Sequence, residues 1–141
     1  MKVRVMLVRD GRGRREDIVL DTPEAAFGFL KPKFQGLDRE HLLRVDLDAR
    51  NQANGHETVS IGTLTASLVH PREVFRAAIL GCAAGVILAH NHPSGDPAPS
   101  PEDRETTRRI KSAGDLLGIP MIDHIIVGGE RFFSFRQAGL L

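Results

Sequence analysis

Two histidines stand two apart, and after seven intervening residues comes Ser-x-x-Asp: His90-Asn91-His92, then Ser100-Pro101-Glu102-Asp103. On an extended chain, residues i and i+2 project to the same side. His90 and His92 therefore present two imidazoles side by side, a donor pair that suits Zn²⁺. Ser100 is a natural N-cap, Pro101 takes the first helical position, and Asp103 falls at the third. From that first turn the Asp103 carboxylate can reach back to the histidines. Three protein ligands leave a fourth position for water, the arrangement of a catalytic zinc site rather than a structural one. Water bound there ionises near pH 7.

Each half of this pattern also has an ordinary explanation. Ser-x-x-Asp before a helix resembles a capping box, with Asp in place of Glu or Gln. His-x-His alone is often incidental. The combination, placed where a strand passes through a loop into a helix, is far more specific than either part. The literal string His90-Asn91-His92 does not make an HNH nuclease, whose residues are spread over a longer ββα element. A zinc deaminase is excluded by the missing His-x-Glu and Pro-Cys-x-x-Cys. A single cysteine, Cys82, cannot supply two thiolates.

A zinc hydrolase also needs a carboxylate to take a proton from water and pass it to the leaving group. The residue types alone offer Glu40, Glu57, Glu73, Glu102 and Glu105. Glu102 adjoins a ligand but should point elsewhere on its helix. His124, in an apolar strand beside Asp123, reads either as a partner that orients the ligands or as a buried core histidine. His41, His56 and His70 read as surface or packing residues. Ser94 and Asp96 should stabilise the ligand loop through local turns, and Ser94 could line the cleft.

The elements that position these residues follow from periodicity. Lys2–Arg9 alternates at period two and predicts a half-buried strand, followed by a polar, arginine-rich loop. Thr22-Pro23-Glu24 opens a helix that should end before Pro32. Glu40–Asp48 predicts a strand with Leu43, Val45 and Leu47 on one face and Leu42, Arg44, Asp46 and Asp48 on the other. Asn51–Gly55 predicts a turn, and Thr58–Leu64 a weaker strand. Pro71–Ala83 predicts a helix with Val74, Phe75, Ala78, Ile79 and Cys82 on its apolar side. Gly85–His90 is a continuous apolar run, as expected of a central strand buried on both faces. Pro101–Leu117 predicts a helix closed by Gly118 and Pro120. Met121–Val127 predicts a strand that turns through Gly128-Gly129-Glu130 into Arg131–Phe135. The class is α/β, a mixed sheet flanked by helices. Residues 1–17 form an N-terminal strand and basic loop, and 18–141 the domain proper.

Composition narrows the function. The chain has 141 residues, 41% hydrophobic and 26% charged, enough for one domain with its own core. Its net charge of +1 gives no electrostatic reason to expect a nucleic-acid or membrane partner. One cysteine permits no internal disulfide, and Cys82 reads as a small core residue. With no secretory signal and no bilayer-spanning run, the cytoplasm is the expected location.

The spacing His90-x-His92, seven residues, Ser100-x-x-Asp103 matches the JAMM metal motif of the JAB/MPN metalloprotease family. The flanking segments His70-Pro71-Arg72-Glu73-Val74-Phe75, Pro93-Ser94-Gly95-Asp96-Pro97 and Ile122-Asp123-His124-Ile125-Ile126 resemble the C-terminal domain of RadC-type proteins. The likeness extends over roughly Ile18 to Arg136. It implies the JAB/MPN fold, related to cytidine deaminases, with zinc on His90, His92 and Asp103. It implies Ser100 as a donor to the tetrahedral oxyanion and Glu40 as general base. Family members of known activity cleave peptide or isopeptide bonds, often at ubiquitin-like modifiers.

Three functions compete: a zinc-dependent amide hydrolase, a DNA-repair accessory as the RadC name suggests, and a non-catalytic interaction module. The helix-hairpin-helix DNA-binding region of RadC-type proteins does not occur in these residues. The basic candidates for DNA contact are Arg12, Arg14, Arg15, Arg104, Arg108, Arg109 and Lys111, of which the helical ones read as a solvated face.

Overall fold

The structure is a computed structural model that describes residues 1–11, 17–63 and 69–141. Its elements are α1 (Pro23–Phe34), β1 (His41–Leu47), β2 (Ala53–Ile61), α2 (Pro71–Leu80), β3 (Gly85–Asn91), α3 (Pro101–Leu117), β4 (Met121–Gly128) and β5 (Arg131–Ser134). The strands form one mixed sheet in the order β2-β1-β3-β4-β5. Only β3 and β4 run parallel, joined by the crossover helix α3. Among the described residues no helix is long and apolar enough to cross a membrane.

The sheet is covered on both sides. Leu43, Val45, Ile87, Ala89, Ile125 and Val127 pack with Leu30 and Phe34 of α1. Leu42, Val86 and Leu88 pack on the other face with Val74 and Phe75 of α2 and Ile110 of α3. Every residue of β3 is buried, as its unbroken apolar run requires at the centre of a two-sided sheet. The two-face division of β1 holds, but its polar side is not solvated. Arg44 is 1% exposed. Its guanidinium donates to Asp46, to Glu57 and to the Val74 carbonyl. Burial works to lower its pKa, and the hydrogen bonds and charges of Asp46 and Glu57 outweigh that and raise it.

Several boundaries differ from expectation. Lys2–Arg9 joins no strand, and Val3, Val5, Met6 and Val8 are exposed. Alternation alone does not make a strand without pairing to a neighbour. The arginines at 12, 14 and 15 lie outside the described residues. α1 continues through Pro32 to Phe34. A proline in a helix interior costs about 3 kcal/mol, but burying Phe34 beyond it contributes about 1.5–3 kcal/mol and favours the extra turn. β2 starts at Ala53, inside the expected turn; the reversal is tighter, with Asn51 at φ 59°. Residue 64, the expected end of β2, is not described.

α2 stops at Leu80, leaving Cys82 exposed at φ 52° and Ile79 half exposed. The expected core cysteine is thus part of the turn that ends the helix. The hairpin β4–β5 and the span of α3 stand as expected, and Gly118 at φ 71° closes α3 in the left-handed conformation.

Candidate metal centre

β3 runs out of the core at its C-terminal end, where His90, Asn91 and His92 emerge beside the first turn of α3. Ser100 Oγ accepts from the Asp103 backbone N–H at 3.0 Å, and the Ser100 N–H donates to Asp103 Oδ2 at 2.8 Å. The capping box is therefore real, and it does not compete with a ligand role. The same carboxylate places Oδ1 3.2 Å from His90 Nε2 and Oδ2 3.1 Å from His92 Nε2. The two Nε2 atoms are 3.0 Å apart. Ligands held at about 2.1 Å around a tetrahedral ion lie about 3.4 Å from one another, so the three side chains are close to the spacing an ion would require.

The hydrogen bonds behind the rings settle where the protons sit. His92 Nδ1 lies 2.7 Å from the Asp96 carbonyl oxygen, which can only accept, so Nδ1 carries the hydrogen. Thr107 Oγ1 donates to the Asp103 carbonyl at 2.6 Å, which leaves that oxygen to accept from His124 Nδ1, also at 2.6 Å. His124 Nε2 is then an acceptor, and His90 Nδ1, 2.8 Å away, must donate to it. Both Nε2 atoms consequently turn bare lone pairs toward a carboxylate. Three acceptors facing one another with no proton between them call for a cation, which is the chemical test of fit for a metal. Among the described residues, His90, His92 and Asp103 are the one group of three that could hold a metal ion.

The electrostatics agree. Burial pushes the Asp103 carboxyl up, but the His90 and His92 rings, each of which shares a proton with the carboxylate whenever its Nε2 takes one up in the metal-free site, outweigh it and hold the group well below the usual carboxylate range. His92 is made more basic, chiefly because a proton taken up on Nε2 bonds to Asp103, with Glu40 adding a smaller coulombic pull. His124 is kept neutral by complete burial and by the neighbouring His90. It orients His90 and also stacks on Phe135 at 4.9 Å, so both roles open to it in the sequence are filled.

The ligand loop is pressed against the end of β4. A Cβ on Gly128 would meet Pro97 N at 2.7 Å and Gly95 O at 2.8 Å, so only glycine permits this approach. Arg131 also donates to Gly95 O. Ser94 and Asp96 form the expected local turns, accepting from Asp96 N and Ala98 N respectively.

A cleft of about 310 Å³ opens on the metal side, lined by Glu40, Thr63, His92, Ser94, Ser100 and Asp103 together with Glu102. Ser94 does line the cleft. Glu102 sits on the exposed rim, whereas its neighbour Asp103 is buried against the histidines. Of the other acids, Glu57 is taken by Arg44, Glu73 lies near Arg76, and Glu105 pairs with Arg108. Thr107 was not singled out from the sequence. Its place four residues after Asp103, one helical turn along the same face, is the signal that points to it.

Residues 20–140 match the family described as the RadC-like JAB domain. UPF0758 protein STH371 of Symbiobacterium thermophilum is 55% identical over 128 residues, covering 91% of this chain and 54% of that protein. A UPF0758 protein of Desulforamulus reducens is 48% identical over 124 residues, covering 88% and 55%. One of Rubrobacter xylanophilus is 50% identical over 123 residues, covering 87% and 54%. The chain thus spans about half the length of these relatives.

Proposed function

From the chain's membership of the RadC-like JAB domain family, and from the triad at its cleft, we propose that it is a zinc-dependent hydrolase of peptide or isopeptide bonds. The observation that carries this is the convergence of two proton-free imidazole nitrogens and one ionised carboxylate, with room beside them for substrate.

Zinc, when bound by His90, His92 and Asp103, supplies a Lewis acid and water that ionises near neutral pH. The chain's own residues then divide the work. Glu40, on the cleft wall, takes the proton from the attacking water and delivers it to the leaving amine. Ser100 accepts the Asp103 N–H through its oxygen lone pair, so its own hydroxyl hydrogen remains to donate to the oxyanion of the tetrahedral intermediate. The extended C-terminal tail of a protein or of a ubiquitin-like modifier is the substrate class the family likeness favours. A DNA-repair role gains no support from α3, where Arg108 pairs with Glu105 and Lys111 with Asp115.

The test is metal analysis of the purified protein, followed by a screen on peptides and modifier fusions. Glu40→Gln should retain zinc and lose at least about a hundredfold in turnover, the scale of a general-base contribution. Hydrolysis that survives thorough zinc removal would falsify the proposal.

A further inference from the structure

Asn91 stands between the two histidines, yet its carboxamide turns toward β1. Oδ1 accepts from the His41 backbone N–H at 2.8 Å, and Nδ2 donates to the Arg39 carbonyl at 3.0 Å. The partners fix which end of the amide is which, since a backbone N–H only donates and a carbonyl only accepts. These two bonds straddle Glu40. From the other side, Gly62 N donates to the Glu40 carbonyl at 2.8 Å. The backbone pairing of β1 with β3 ends at Leu42 opposite His90, and one step further the Asn91 side chain takes the place of the backbone. Asn91 is 5% exposed, so water does not compete for these bonds.

Strand alternation places Glu40 on the same face as Leu42, and Leu42 is paired with His90. Just ahead of a strand, a residue would ordinarily lose its register as the strand end frays. Here the peptide units on both sides of Glu40 are tied to the residue that links the two metal-binding histidines.

We propose that Asn91 is a positioning residue: by clipping the backbone at Arg39 and His41, it holds the Glu40 carboxylate on the metal side of the sheet. This rests on Glu40 being the base, as proposed above. One buried amide thereby keeps base and ligands in a single frame, where a displacement of about 1 Å can cost on the order of a hundredfold in rate.

The test uses Asn91→Ala and the isosteric Asn91→Asp, which keeps the volume but sets an oxygen against the Arg39 carbonyl. Both should bind zinc within about threefold of wild type, because the ligands and their hydrogen-bonded supports are intact. The His41 amide should exchange with solvent at least about tenfold faster. The carbon-13 signal of the Glu40 carboxyl, followed as zinc is added, should lose more than about half of its wild-type response, because the carboxylate no longer faces the ion. On any substrate found, kcat should fall about ten- to a hundredfold with KM nearly unchanged, and adding Asn91→Ala to Glu40→Gln should cost nothing further.

Wild-type His41 exchange and Glu40 response in both variants would overturn the proposal, as would a collapse of zinc affinity in both. A wild-type protein that takes up zinc but hydrolyses nothing would remove the hydrolase function alone, and the exchange and carboxyl signals would still decide the role of Asn91. A wild-type protein that takes up no zinc would remove both.

Discussion

The two histidines of the site are neighbours in sequence and are supported in opposite ways. His90 is fully buried, and its ring is set by a relay of side chains through His124 and Thr107. The His92 side chain is 13% exposed, and its ring is set by a backbone carbonyl, that of Asp96. The inner half of the site is written in residue types. The outer half is written in the path of the chain, which Gly128, Pro97 and the local turns of Ser94 and Asp96 hold in place. The same task, baring one Nε2 lone pair, is therefore exposed to different kinds of damage on the two sides.

The strongest break is at the residue both halves share. Asp103→Asn keeps an acceptor for the Ser100 N–H but loses the charge. Zinc affinity, measured by chelator competition, should fall more than about a hundredfold, beyond the range seen when only a supporting residue is lost. Thermal unfolding without metal should change little, because the helix cap survives.

Next comes the inner relay. His124→Phe preserves ring volume against Phe135 but leaves His90 Nδ1 without its acceptor. Zinc affinity should drop about ten- to a hundredfold, and stability by about 1–3 kcal/mol for the unpaired buried donor. An affinity equal to wild type by the same competition assay would show that His90 needs no relay.

The outer half is probed by pH. In the metal-free protein His92 is more basic than an ordinary histidine, so protons begin to compete for its Nε2 at a higher pH than usual. Below that raised pKa, zinc affinity should weaken by about tenfold per pH unit. Asp103 adds no such dependence, because its pKa is held far below this range. Calorimetric titrations at several pH values read the slope directly.

The smallest effect is expected at Asp96→Ala. Only the backbone carbonyl of Asp96 touches His92, and the side chain contributes one turn bond to Ala98. Zinc affinity should stay within about threefold of wild type, below the effect of a true supporting side chain. A loss as large as that of His124→Phe would erase the distinction between the two halves.

Much of this was legible in the sequence because local rules and chemistry coincide there. Ser100, Pro101 and Gly118 mark the ends of α3, and the unbroken apolar run marks β3 as central. His-x-His and Ser-x-x-Asp mark three candidate ligands through their spacing together with the family likeness. What escaped depends on pairing between distant strands. Arg44 looks like a solvated residue of an alternating strand until α2 and Glu57 are known to cover it. Asn91 looks like a spacer until β1 is placed beside β3. Lys2–Arg9 shows the converse, a strand pattern that pairs with no neighbour among the described residues.

The sheet order carries one more consequence. β1 runs antiparallel to the ligand-bearing β3, and side chains along β1 alternate between the α1 face and the metal face. A single residue inserted or deleted between Glu40 and Leu42 would swing the carboxylate to the α1 face and leave His90, His92 and Asp103 where they are. In the proposed mechanism, loading with metal and competence for chemistry are thus separable by one step of strand register.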